Sequence, residues 1–388
     1  MLREKVEQNL KTCILPFWEG MIDKEYGGYY GLLDFDLKLD KKAVKGCILN
    51  SRILWFFSNV YLTTGDASVL PFADQAYEFL KAYCLDKENG GIFWSMTYDG
   101  KPEDTTKHTY NQAFAIYALS SYYDATKKEE ALQTAMDLFR VIETKCRLGD
   151  GYGESYTIDF VPNVNDKLSE NNVIADKTMN TLLHVCEAYT ELYRVGHDPE
   201  VQKRLYWSTA EFYNAVYNPE LHRLEVFFDK DMNSILDLHS YGHDIEATWL
   251  IDRALEVLGN KELSDRMAPM IMDLTEQIYK VAYENHSVMA ECEKGVVLTT
   301  RIWWVQCESI IGFYNAYQKT GDERYRKAAE DIWDYIEKYL IDPRPQSEWY
   351  SEVDADGQPS SRKPIVEPWK CPYHNGRMCM EIMNRTRR

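Results

Sequence analysis

Six apolar runs of helical length recur along the chain, and each opens on unusual polar residues. They begin near Ser51 (SRILWFFSNVYL), Tyr110 (YNQAFAIYALSSYY), Lys177 (KTMNTLLHVCEAYTEL), His243 (HDIEATWLIDRALEVL), Trp304 (WVQCESIIGFYNAY) and His374 (HNGRMCMEIM). A more polar, amphipathic run follows each of the first five, as in ASVLPFADQAYEFLKAYC and ERYRKAAEDIWDYIEKYL. The N-terminal segment supplies the sixth. Helices apolar all round are buried, whereas amphipathic ones cover them. A short extended segment with aromatic residues, often with a Gly or Asp-Gly turn, precedes each apolar run: GGYYGLLDFD, GGIFWSMTYDG, DGYGESYTID, LEVFFDKDMN, HSVMAECEKG and SEWYSEVDADG. Each reads as a strand pair or extended loop.

The apolar starts lie about 59 to 70 residues apart, so six units fill the 388 residues. Twelve helices in six hairpins suit an all-α closed double ring, an (α/α)6 barrel, with the apolar helices inside. An open solenoid would carry polar capping repeats at its ends. Here the last unit ends on an apolar helix bearing His374, which favours closure. No interdomain linker is visible, so residues 1–388 read as one domain, with the Pro-rich stretch 343–372 as a long loop of the last unit.

Composition narrows the partners. The chain has 44 Lys plus Arg against 62 Asp plus Glu, a formal charge of −18. That balance argues against nucleic acid or an anionic membrane as main partner. No run has the length and apolarity of a membrane span, and the N-terminus lacks the layout of a signal peptide, so a cytoplasmic location is expected. The nine cysteines are scattered without a CxxC pair, which speaks against a disulfide framework or zinc ribbon. The 28 Tyr and ten Trp supply ring faces with polar edges, which suit sugar stacking as well as core packing.

In a closed ring the first turns of the inner helices gather around one cavity. The polar candidates there are Arg52; Tyr110, Asn111 and Gln112; Asn180, His184 and Glu187; His243, Asp244 and Glu246; Gln306 and Glu308; His374, Asn375 and Arg377. Ser51 and Asp244 suit helix capping. Arg52 does not, because the helix dipole disfavours a cation at that end. Three histidines on three inner helices suggest proton chemistry near neutral pH. Asn180 and His184 share a face at i,i+4, and Glu246 at i,i+3 is placed to orient His243. A zinc site on the three histidines is the rival reading, although no HExxH pair is present. Trp303, Trp304 and Trp369 are stacking candidates. One of the adjacent Trp303 and Trp304 must turn away, since neighbours on a helix cannot share a face.

The segments KGCILNSRILWFFSNVYL, KHTYNQAFAIYAL, DKTMNTLLHVCEAYTEL, SYGHDIEATWLI, RIWWVQCES and EPWKCPYHNGRMCMEI resemble the N-acylglucosamine 2-epimerase superfamily, and within it the cellobiose 2-epimerases. The likeness spans the chain in order and implies the (α/α)6 barrel. It implies cofactor- and metal-independent epimerisation at C2 of the reducing-end glucose of a β-1,4-linked disaccharide. It makes His243 and His374 the acid/base pair, and His184 an aid to ring opening. Arg52 and Asn180 would hold the O1/O2 edge with Tyr110 nearby, and Glu246 would orient His243. Trp303, Trp304 and Trp369 would stack on the sugar, and Glu308 would bind hydroxyls. The alternatives are a related epimerase or isomerase acting on N-acylglucosamine or on a monosaccharide such as mannose, a glycoside hydrolase using two carboxylates, and a non-catalytic sugar binder. The oligomeric state is left open.

Overall fold

The structure is a computed structural model, and it describes residues 2–168, 171 and 173–387. Helices dominate. In chain order they are α1 (Leu2–Asn9), α2 (Leu15–Gly20), α3 (Cys47–Thr64), α4 (Leu70–Phe79), α5 (Thr109–Thr126), α6 (Glu129–Lys145), α7 (Met179–Gly196), α8 (Pro199–Glu211), α9 (Tyr241–Leu258), α10 (Lys261–Val281), α11 (Trp303–Thr320), α12 (Glu323–Tyr335) and α13 (Tyr373–Arg385). A π-helical turn, Leu10–Ile14, joins α1 to α2. No helix among the described residues is long and apolar enough to cross a membrane.

The expected helix starts lie within four residues of the observed ones. The largest difference is at α3, which starts at Cys47 rather than near Ser51. Ser51 is not a cap: its hydroxyl donates back to the Cys47 carbonyl at 3.0 Å, inside the helix. Helices α3, α5, α7, α9 and α11 are each 18 residues long. Each stops at a residue in the left-handed region: Gly65, Lys127, His197, Gly259 and Gly321. That turn reverses the chain and satisfies a terminal carbonyl. In four of the five the next residue caps the following helical segment: the side chains of Asp66, Asp198, Asn260 and Asp322 accept from its first backbone N–H groups. A two-residue turn therefore makes each hairpin.

Packing runs in a circle. Helix α3 packs on α5, α5 on α7, α7 on α9, α9 on α11 and α11 on α13, and α13 returns to α3. The remaining helices lie against these, α4 on α3, α6 on α5, α8 on α7, α10 on α9, α12 on α11 and α1 on α13. Burial follows the sequence pattern: α5 is buried continuously from Thr109 to Tyr122, whereas α10 buries one stripe including Leu263, Met267, Ile271, Leu274 and Ile278.

Short strands lock the circle. The lead-in to a ring helix pairs antiparallel with the extended segment of the next unit: Lys45–Gly46 with Ser95–Met96, Lys107–His108 with Ser155–Tyr156, and Lys177–Thr178 with Phe227–Phe228. Leu238–Ser240 meets Glu291–Glu293, and Arg301–Ile302 meets Glu352–Val353. The sixth junction joins the two ends of the chain, Leu33 to Val366.

Two of these junctions sit over buried ion pairs. Lys45 meets Asp23 at 2.6 Å, and Lys107 meets Asp86 at 2.8 Å. Both lysines also donate to a glycine carbonyl, Gly27 or Gly90, at 2.7 Å. The glycine that follows, Gly28 or Gly91, has positive φ and no room for a Cβ. An added carbon would come within 2.7 Å of Phe79 or 2.8 Å of Phe160.

Candidate active site

The polar first turns of the ring helices do two different jobs. The fourth residue of α3, α5, α9 and α11 is Asn50, Gln112, Asp244 and Gln306, and each clamps a strand. Asn50 accepts from Tyr29 N at 3.2 Å, and Asp244 from Leu224 N at 3.3 Å. Gln112 accepts from Ile92 N at 2.7 Å and donates to Ile92 O at 2.8 Å. Gln306 does the same to Val288, at 2.8 and 2.7 Å. Gln112, Asp244 and Gln306 thus satisfy buried backbone groups. Asn111 likewise donates to Phe93 O at 2.8 Å, and Asn375 to the Glu348 carboxylate.

The other candidates, most of them one turn further along, converge on one buried cluster to which all six ring helices contribute. Arg52 on α3 donates to Tyr110 OH on α5 at 2.8 Å. The Tyr110 ring stands edge-on to His184 of α7, with centroids 4.9 Å apart. His184 Nδ1 lies 2.8 Å from Glu187 Oε2. Glu187 accepts from Arg377 of α13, whose other terminal nitrogen donates to Glu246 of α9 and, at 2.7 Å, to Glu308 of α11. Glu308 Oε1 in turn lies 2.8 Å from His374 Nδ1.

This arrangement corrects one expected contact and gives a second residue partners that its spacing did not show. Glu246 does not orient His243: its carboxylate pairs with Arg377, and His243 Nδ1 meets Ser240 Oγ at 2.7 Å instead. The i,i+3 spacing brings Glu246 near, but the guanidinium arriving from α13 is the stronger partner. Glu308 has protein partners on both oxygens. It is fully buried, with one oxygen on His374 and Arg377 and the other accepting from Trp249 Nε1 at 2.9 Å. Trp249 and Ser240 were not anticipated; the Glu246/Trp249 spacing on one helix face was the available signal for the first.

The tryptophans divide as adjacent helix positions require. Trp303 is buried in the core, whereas Trp304 is half-buried and packs on two imidazoles, His243 at 4.8 Å and His374 at 5.6 Å between centroids. Trp303 nonetheless stands edge-on to His374, 6.2 Å between centroids, so both indoles border that imidazole. Trp369 is half-buried, 5.6 Å from Trp94 and 5.9 Å from Tyr110. Several polar atoms here are buried without a partner, among them Arg52 Nε and Asn180 Oδ1. Arg52 is also boxed by rings, with its guanidinium carbon 4.2 Å from the Phe114 centroid and 5.0 Å from that of Tyr373.

Burial sets the protonation states. It pushes His243 down to about 3, with His184 adding repulsion, and pushes His374 well below its ordinary value with help from Arg377 and Arg52. Both imidazoles are therefore neutral near pH 7, the form that accepts a proton. Burial and the neighbouring Glu308 raise Glu246 to about 7 against the pull of Arg377. Burial also raises Glu308. Burial opposes ionisation of Glu187 too, but Arg377, His184 and Tyr373 outweigh it and hold Glu187 below the usual range. Donor atoms of Glu246, Glu308 and His374 lie within 4.8 Å of one another, a set of metal-ligand type. Arg377 already places a cation on both carboxylates.

Comparison with known proteins places this geometry. The family model of N-acylglucosamine 2-epimerase (GlcNAc 2-epimerase) matches residues 27–375. The cellobiose 2-epimerase of Eubacterium cellulosolvens is 50% identical over 399 residues, covering 99% of this chain and 98% of that one. The cellobiose 2-epimerase of Ruminococcus albus (strain ATCC 27210) is 49% identical over 385 residues, covering 99% of each. A crystal structure of a sugar epimerase from a ruminal bacterium superposes with a TM-score of 0.99 at 49% identity, over the whole of both chains. A match of that extent, continuous through every ring helix, makes the chain a member of the N-acylglucosamine 2-epimerase family and an enzyme that epimerises carbohydrates.

Proposed function

We propose that the chain is a cellobiose 2-epimerase built on an (α/α)6 barrel. It would convert cellobiose to glucosyl-mannose and lactose to epilactose. The observation that carries the mechanism is the Trp304 indole, which lies against both His243 of α9 and His374 of α13. Two neutral imidazoles from different ring helices thereby share one neighbour. A sugar stacked on that indole would present C2 between them.

The steps follow from the protonation states. His184 assists opening of the pyranose ring. One of His243 and His374 takes the C2 proton of the open aldose on the ring nitrogen that carries no proton. The C2–H electron pair forms the C1–C2 double bond, and the carbonyl pair moves to O1, giving a planar cis-enediolate. Arg52, whose Nε has no protein partner, supplies positive charge to that oxyanion, and Asn180 is placed for the adjacent hydroxyl. The negative charge makes the opposite imidazole more basic. Protonated from solvent, it delivers a proton to the other face of C2. Trp369, paired with Trp94, offers an aromatic surface to the second ring, which favours a disaccharide over N-acylglucosamine or mannose.

The test is incubation with cellobiose, and separately with N-acetylglucosamine, in D2O, with products read by NMR. The expected result is glucosyl-mannose carrying one deuterium at C2 and no reaction of N-acetylglucosamine. Turnover without deuterium would remove the two-histidine mechanism, and preferential turnover of N-acetylglucosamine would replace the substrate.

A further inference from the structure

Arg377 lies at the crossing of every carboxylate in the cluster. It is buried on α13, with its guanidinium carbon 4.2 Å from the Tyr373 centroid and 4.8 Å from that of Trp249. One terminal nitrogen donates to Glu187 and Tyr373 OH, the other to Glu246 and Glu308. Tyr373 OH also donates to Glu187, at 2.7 Å. Two of these carboxylates hold an imidazole by its Nδ1, Glu187 holding His184 and Glu308 holding His374, each at 2.8 Å. A carboxylate accepts, so each of those Nδ1 atoms carries the proton and each Nε2 is left as an acceptor. The path His184–Glu187–Arg377–Glu308–His374 is continuous and crosses three ring helices.

We propose that Arg377 and Glu187 are positioning residues that make His184 and His374 one electrostatic unit. This rests on the reading of His184 as the ring-opening aid and His374 as one of the two C2 proton carriers. The shared guanidinium fixes both rings in the same tautomer. It also makes the carboxylate behind one imidazole sensitive to the charge on the other, because a single cation balances both. A proton arriving on His184 strengthens the hold of Glu187 and loosens that of Arg377, which then leans on Glu308, draws off the charge that Glu308 offers His374 and lowers the basicity of His374. His374 thereby becomes the better C2 base once His184 has given its proton up, which orders ring opening before proton abstraction. His243, held by the neutral Ser240, stands outside the unit.

A double-mutant cycle tests it, with Glu187→Gln, Glu308→Gln and the pair, all isosteric replacements. Each single change is expected to lower kcat with cellobiose about 100-fold with KM within about twofold. The pair is expected to lose little more than the worse single variant, because groups acting as a unit are not additive. Losses that multiply to about 10⁴-fold would overturn the coupling. Nitrogen-15 histidine NMR of the wild-type enzyme and of Arg377→Lys gives a second readout that does not depend on turnover. Both His184 and His374 should show protonated Nδ1 and bare Nε2 in the wild type, and both should shift in the variant while His243 does not. A shift of one ring alone, or of neither, would refute the proposal. Absence of C2 deuterium in the wild type would instead sink the underlying reading, which keeps the two failures apart.

Discussion

The Lys107–Asp86 pair under the second strand junction and the Arg377 cluster at the centre use the same ingredients to opposite ends. Both bury a cation against carboxylate at the start of ring helices. At the junction the charges balance one to one. Asp86 takes Lys107 on one oxygen and the backbone N–H groups of Glu88 and Asn89 on the other, and Lys107 also reaches Gly90 O. Burial works against the Asp86 anion, but these partners outweigh it and bring the carboxyl down to about 2. At the centre one guanidinium faces three carboxylates and the imbalance is left standing. Burial and Glu308 raise Glu246 to about 7, while burial, with help from neighbouring cationic side chains, keeps two imidazoles neutral. A balanced buried pair stores only stability. The unbalanced one leaves a buried carboxyl, Glu246, that titrates near neutral pH.

The contrast breaks most sharply at the histidines. His243→Ala and His374→Ala should each lower kcat with cellobiose by about 10³-fold or more while far-UV circular dichroism and the melting temperature stay near wild type. Turnover close to wild type in either variant would assign that ring to structure. The junction should behave in reverse. Lys107→Met leaves Asp86 buried and unpaired and should cost about 3 to 5 kcal/mol in urea unfolding. The fraction still folded should turn over cellobiose at the wild-type rate, and a folded but inactive variant would erase the distinction. The smallest effect sharpens it through pH. A carboxyl raised in the folded state contributes stability that is full below its unfolded value and is lost as pH rises through the folded one. Stability should therefore fall by about 2 to 3 kcal/mol between pH 5 and 8 through Glu246. Glu246→Gln should flatten that slope, whereas Asp86→Asn should not, since Asp86 is ionised in both states across the whole range.

The same contrast explains what the sequence revealed. Six apolar runs and their spacing located every ring helix within four residues, because burial on all sides leaves no polar stripe to mislead. The three histidines and Arg52 were legible as candidates because capping does not explain them, and Tyr110 because it opens an inner helix. Their partners were not. Spacing along one helix offers Glu246 to His243, but the competing guanidinium arrives from α13, 131 residues away in sequence. Asn50, Gln112, Asp244 and Gln306 share the fourth position of their helices, a register visible only once the true helix starts are aligned. Gln112, Asp244 and Gln306 were grouped with the chemistry because a clamp on a backbone amide and a ligand for sugar use identical side chains.

The circle is completed by α13, which slots between α11 and α3 and brings both His374 and Arg377, while Leu33 waits for Val366. A polypeptide leaving the ribosome therefore holds five of its six sectors with Glu187, Glu246 and Glu308 lacking their counter-ion. Closure of the ring and assembly of the charge cluster are therefore one event: the docking of α13 seals the shell in the same stroke that gives the three carboxylates their guanidinium.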